Sequence, residues 1–289
     1  MSNVLGSYLA NANNYQVSDF EPIQKEQIKI MVDNQNRCSD WSKVYFDRAI
    51  LDSGAIFESL NSIRNCSFNG NIFLTSFYGN VTSYKGMVVQ CGLYDSTFSG
   101  RCIIQQNALV THSYLHNCCI GKEAVVICCP HVLHSGQSLS YGNYKTISVG
   151  NESGGRIVTL SLGSSFQSLV RQAFNAKEPQ DMTLAVEDRR DFEDCRDAMV
   201  VIGEKAIVFR CNEVIDSIVG DGCSCTSSSL HSSILWFDSS QTSSVVRSVV
   251  KGCLLDPGCS ATDCNVMDTY LMDQASIGTT YYCSAPLGL

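Results

Sequence analysis

At 289 residues, 44% hydrophobic and 17% charged, the chain is long enough for a full-sized core and too apolar to be disordered over most of its length. Its formal charge of −8, from 20 basic and 28 acidic side chains, sets an unfavourable field against nucleic acid or an anionic membrane, and no basic patch offsets it. No window approaches the roughly eighteen apolar residues of a membrane span, and the first thirty residues lack a basic stretch followed by a long apolar run, so the expectation is a cytoplasmic protein.

The opening segment, residues 1–43, reads as a cap with a short helix. Ser18 and Glu21 have capping-box spacing, Pro22 suits a first turn, and Ile23, Gln27, Ile30 and Met31 put a partly apolar stripe on one helical face. Such a helix covers the open end of a repeat array, which otherwise presents unpaired backbone and an apolar cross-section to water. Trp41, between Asp40 and Ser42, is the expected anchor beneath it.

Repetition dominates residues 44–135 and 198–289. Aliphatic residues recur about every six positions at Ile103, Leu109, Leu115, Ile120 and Val126, and again at Ile202, Val208, Val214 and Val219, with the spacing one short at Ile120 and Val219. A second pattern sets a polar and a small residue before an apolar step, as in RNCSFNG, YDSTFSG, HNCCIG, IDSIVG, HSSILW and RSVVKG. Strands this short cannot stand alone. Each must stack on the next and bury its aliphatic residue in a continuous column, which predicts an all-β solenoid, a parallel β-helix.

Between the two blocks, residues 136–197 break the pattern and read as an inserted loop and helical segment. Helical spacing at Phe166, Leu169, Val170 and Phe174 is followed by Glu187 to Asp194, whose mixed signs suit a solvated helix face. The stretch Gly150, Asn151, Glu152, Ser153, Gly154, Gly155 and Arg156 is the candidate ligand-binding loop. Paired glycines let backbone N–H groups turn toward an anion, and the arginine fork matches phosphate or carboxylate. The same composition also suits an ordinary loop, and the GK[ST] ending of a nucleotide-binding P-loop is missing.

Sixteen cysteines would suggest a disulfide framework in an exported protein, but adjacent pairs such as Cys118-Cys119 and Cys128-Cys129 suit small buried thiols better. Cys128, Cys129, His131 and His134 fall within CCPHVLH, yet neighbouring residues of an extended chain point to opposite faces, so no metal site is expected.

Two near-identical stretches, Ile120-Gly121-Lys122-Glu123-Ala124-Val125 and Ile202-Gly203-Glu204-Lys205-Ala206-Ile207, resemble the hexapeptide-repeat proteins that form left-handed parallel β-helices, including acyltransferases and the tails of sugar nucleotidyltransferases. The similarity covers roughly residues 44–135 and 198–280, with Phe or Cys in several places where that family prefers Ile or Val. The opening EPIQKEQIKIMVDNQNRCSDWSKVYF also looks like the head of a large uncharacterised branch of such proteins. The resemblance implies left-handed winding, a homotrimer and acyl-CoA as donor. It also implies His116 as general base, because several of the acyltransferases carry a histidine just before an Asp-Cys-x-Ile/Val-Gly stretch. Here Asn117 replaces the aspartate and supplies no charge to an imidazolium.

Aligning the coils puts Arg64, Tyr94, Ile215 and His231 where His116 stands, so that place accepts almost any residue. His112, His131, His134 and His231 are weaker candidates. No G-x-S-x-G elbow, H-E-x-x-H or dinucleotide fingerprint is present. Two readings stay open: a transferase binding a phosphorylated or nucleotide-linked sugar or similar small anion, with His116 as base; or a non-catalytic β-helix for binding, regulation or assembly.

Overall fold

The computed structural model describes residues 5, 8–9, 17–51, 53–136, 141–142, 145–149, 156–162, 164–174, 199–272, 274–278 and 282–283. Its strands are mostly two or three residues long, and every third one pairs in parallel. Val201 lies beside Ile218, Ile218 beside Ile234, Ile234 beside Leu254, and Leu254 beside Tyr270. The register therefore advances sixteen or seventeen residues per coil, and twenty where the extra turn Asp238–Gln241 is let in. The result is a parallel β-solenoid with three rungs per coil.

Inward side chains follow at steps of five, five and six: Cys225, Leu230, Leu235, and then Val245, Val250, Leu255, Ala261, Val266 and Leu271, all in one core with no measurable exposure. The expected hexad is thus corrected to a sixteen-residue coil. Where the hexad was followed too strictly, it slipped: Ile104, not Ile103, points into the prism, and Ile103 faces outward into a second cluster.

The corners explain the polar-small-apolar pattern. At two of the three, a residue in the left-handed region precedes a serine, cysteine or threonine: Asp216 (φ 46°) before Ser217, Ser232 (φ 45°) before Ser233, Arg247 (φ 46°) before Ser248, Asp263 (φ 53°) before Cys264. The small side chain donates to the carbonyl two residues back, as Ser233 Oγ does to His231 O at 2.8 Å. It also accepts the backbone N–H of its counterpart one coil on, as Ser233 Oγ does from Cys253 N at 3.1 Å. Each corner thereby satisfies backbone groups that a tight bend would strand inside the prism. Cysteine serves at these corners as a serine of similar size, which accounts for much of the cysteine content.

The third corner carries the IGKEAV and IGEKAI stretches. A Cβ on Gly121 would lie 2.5 Å from the Gly203 carbonyl carbon, so the glycines are there to let successive coils approach.

The first coils are wider. Helix α1, Lys25–Asp33, is capped at Gln24, whose N–H donates to Gln27 Oε1 at 2.6 Å, so the expected box at Ser18 and Glu21 is displaced. Phe20–Pro22 instead forms a short strand antiparallel to Val44–Asp47. Met31 of α1 enters the main core, and Trp41 tilts toward Phe68 at 6.4 Å. Phe68 and Phe98 stack directly one coil apart, 5.4 Å between centroids. Two further helices, α2 (Arg48–Leu51) and α3 (Ala55–Asn61), follow before the rungs become regular.

The insertion leaves after Val132–Leu133 and returns at Val200–Ile202, and the stacking continues across it. Cys118–Ile120 pairs with Val200–Ile202, and Val125–Ile127 with Ile207–Phe209. Residues of the insertion lie on the solenoid. One face presents a second column outward, Phe73, Ile103, Cys119, Val201, Ile218, Ile234, Leu254 and Tyr270, and this column is buried under Tyr141, Val158, Leu160 and Leu169 of the insertion and under Leu5, Leu9 and Phe20. Helix α4, Phe166–Phe174, matches the expected helical spacing and brings Leu169 to this contact. Among the described residues, no helix is long and apolar enough to cross a membrane.

Candidate functional site

His116 lies within the strand Tyr114–Ile120, half-buried, just before the register shifts between His116 and Cys118 at a corner. Its Nδ1 is 2.9 Å from Ser99 Oγ, and its Nε2 is 3.0 Å from Asn117 Nδ2. The Arg101 backbone N–H donates to Asn117 Oδ1 at 2.9 Å, which fixes the amide with its nitrogen toward the ring. An amide nitrogen donates, so Nε2 is the acceptor and Nδ1 carries the proton toward Ser99 Oγ. Ser99 in turn donates to Tyr114 Oη at 3.0 Å or Leu115 O at 3.3 Å. The basic lone pair of the imidazole is thus occupied by a neighbour of its own strand.

Asn117 occupies the left-handed corner position (φ 51°) that Asp216 and Ser232 occupy in later coils. Gly100 lies against it, and a Cβ there would collide with Asn117 Oδ1. The asparagine is built into the bend as a corner residue.

Of the anion-binding loop, Gly150, Asn151, Glu152, Gly154 and Gly155 lie outside the described residues, as does the charged run Glu187 to Asp194. Arg156 is described: it is exposed at the start of the strand Arg156–Leu160, which pairs with Lys145–Val149 in a hairpin. That hairpin packs Val158 and Leu160 onto the doubly buried face, whereas His116 stands on a different rung face.

The CCPHVLH residues disperse. Cys128 is exposed, Cys129 is buried in the prism, His131 is exposed, and His134 is buried beside Tyr141. Among the described residues, no group of three or more His, Cys, Asp or Glu side chains is arranged so that it could hold a metal ion. His112 and His231 are paired at the surface, with Asp95 at 3.5 Å and Glu213 at 2.9 Å.

One cluster escaped the sequence reading. His134, 2% exposed, faces Asp216, 5% exposed, with Nε2 3.6 Å from Oδ1. The Gly136 N–H donates to His134 Nδ1 at 3.0 Å, so the proton sits on Nε2 toward the carboxylate. Asp216 also accepts Ser135 N at 2.6 Å and Ser135 Oγ at 2.5 Å. Tyr141 packs on the His134 ring, 5.8 Å between centroids, and donates to Met199 O at 2.7 Å. These contacts tie both ends of the insertion to one corner of the solenoid. Asp216 reads in sequence as one more polar residue before a serine, so nothing local announces it.

A family model described as a domain of unknown function (DUF4954) matches residues 20–286. No curated protein matches the chain. The resemblance to hexapeptide-repeat acyltransferases is overturned by this match, and the coil length gives the physical reason: IGKEAV and IGEKAI are two copies of one six-residue step in a coil whose other steps are five.

Proposed function

The chain belongs to the family of the domain of unknown function DUF4954, and for it we propose a non-catalytic role: a β-solenoid that serves as a binding or assembly module. The observation that carries this reading is the 3.0 Å contact from Asn117 Nδ2 to His116 Nε2, which removes the lone pair a general base would need. The repetition supports it too. His116 and Asn117 hold corner places that other coils fill with unrelated residues, as an architectural position would.

The alternative, a transferase binding a phosphorylated or nucleotide-linked sugar, requires His116 to shed Asn117 and requires the loop ending at Arg156 to hold an anion. Thermal-shift measurements with acyl-CoA, sugar phosphates and nucleotide sugars separate the two, run on the wild type, His116→Ala and Arg156→Ala. No stabilisation by any compound is the expected result. A shift present in the wild type and lost in either variant would establish the transferase reading instead.

Rungs of two or three residues accumulate too little twist to enforce the usual right-handed crossover, which admits a left-handed winding. Burial of Met31 in the main core, together with Ile23 just before the helix, supports α1 as an end cap. The fourteen unbridged cysteines among the described residues favour a reducing compartment, hence the cytoplasm. Self-association, read from sequence as a homotrimer, would use the faces that the chain does not cover with its own residues.

A further inference from the structure

Three thiols from three successive coils meet inside the prism. Cys129 and Cys211 are the small residues of one corner, a coil apart, and Cys225 is the inward residue of the following coil, on the strand that pairs with Ile207–Phe209. All three are fully buried. Cys211 Sγ lies 3.2 Å from Cys225 Sγ, while Cys129 Sγ donates to the Val208 carbonyl of the same coil as Cys211 at 3.6 Å. A disulfide needs the two sulfurs at about 2.05 Å, so roughly 1.2 Å separates the observed pair from a bond.

We propose that Cys211 and Cys225 are an oxidisable pair, and that a peroxide converts them into a disulfide stapling two consecutive coils beside the insertion. The neighbouring thiols, Cys129 first and Cys225 second, lower the Cys211 pKa and favour it as the thiolate. Hydrogen bonding to Cys211, and then burial, hold Cys225 well above the ordinary thiol range, so it stays protonated.

The chemistry balances with hydrogen peroxide as oxidant. The Cys211 thiolate attacks one peroxide oxygen, the O–O bond breaks, and hydroxide leaves, giving a sulfenic acid. The Cys225 sulfur then attacks that sulfur, the S–O bond breaks, and the departing hydroxide and the two thiol protons end as water. Two sulfurs are oxidised by two electrons in all, and one peroxide becomes two waters. Peroxide is small and neutral, which suits a target without solvent exposure.

The fold itself supplies conservative variants. Serine already fills the Cys211 corner in Ser113, Ser228 and Ser248, and valine fills the Cys225 column in Val208 and Val245, so Cys211→Ser and Cys225→Val keep the solenoid. The test treats the folded, fully reduced full-length protein with hydrogen peroxide to completion, alkylates the remaining thiols, and maps cross-linked peptides by mass spectrometry. Expected are a Cys211–Cys225 peptide, the loss of two titratable thiols, and a rise in Tm of several degrees that dithiothreitol reverses. Either variant should show neither the cross-link nor the rise. Oxidation confined to exposed Cys128, a bond joining Cys129 to Cys211, or no cross-link at all would each overturn the proposal.

Discussion

Ser233 Oγ donates to His231 O at 2.8 Å while accepting the Cys253 N–H at 3.1 Å, so one buried hydroxyl closes its own corner and positions the next. The same double contact recurs where Ser248 Oγ donates to Val246 O and accepts from Cys264 N. A solenoid of two- and three-residue rungs has little sheet per coil, and these side chains supply the corner hydrogen bonding that the ladders cannot.

Ser233→Ala should leave a buried carbonyl and a buried N–H with poorer partners and cost about 1–3 kcal/mol. Ser233→Cys should cost less, because Cys118 and Cys253 already serve as the small residue of this corner and donate to the carbonyl two residues back. Urea unfolding midpoints at neutral pH measure both. Equal losses for the two variants would remove the hydrogen bond from the account.

Gly121→Ala would drive a methyl to 2.5 Å from the Gly203 carbonyl carbon, backbone that cannot yield without separating the coils. A loss above about 2 kcal/mol is expected, in the range of core overpacking. Gly54→Ala is the control: nothing lies within 4 Å of its Cβ, so stability should change by less than about 0.5 kcal/mol.

Asn117→Ala should destabilise more than His116→Ala. The asparagine holds a left-handed corner and accepts the Arg101 N–H, and losing both is worth roughly 1–3 kcal/mol. The half-buried imidazole at the solenoid surface should cost within about 1 kcal/mol. The reverse order in thermal or chemical unfolding would show that the histidine is the organising residue.

Alkaline pH should weaken the fold. Burial pushes the Cys66 and Cys119 thiols up to about 12, and those of Cys102 and Cys223 up to about 11, from an ordinary 9.0. Between those values the unfolded chain releases protons that the folded chain retains. The stability that these four thiols contribute is therefore complete below pH 9.0 and falls as pH rises through 9.0 toward 11 and 12. Burial raises the Tyr8 phenol as well, with Asp221 adding to it, which deepens the loss above its ordinary 10.0. Urea midpoints of reduced protein from pH 7 to pH 11 test this, and a flat profile would contradict it. Cys66→Ser, which places the residue found at Ser96, should shallow the slope by one thiol.

Much of the solenoid was legible. Leu115, Ile120, Val126, Ile202, Val208, Val214 and Val219 were read as inward residues and are buried in the main core. The slips of one that looked like defects at Ile120 and Val219 are the rule, since two steps in three are five residues long. The candidate site was less legible. His116 stood out for its residue type, yet the contact that decides its chemistry, Asn117 Nδ2 to Nε2, depends on a left-handed backbone at Asn117 that residue order alone does not fix.

Local chemistry explains the division. Periodicity, small residues at bends and the absence of an eighteen-residue apolar run are properties of neighbours along the chain, so the sequence by itself determined a stacked array of short parallel rungs with an interruption near its middle. Which surface that interruption covers, the burial of His134 against Asp216, and the approach of Cys211 to Cys225 join residues from different coils. Only the tertiary structure decided those, because the coil length and the corner geometry bring such residues together, and an error of one residue in either turns every side chain to the other face.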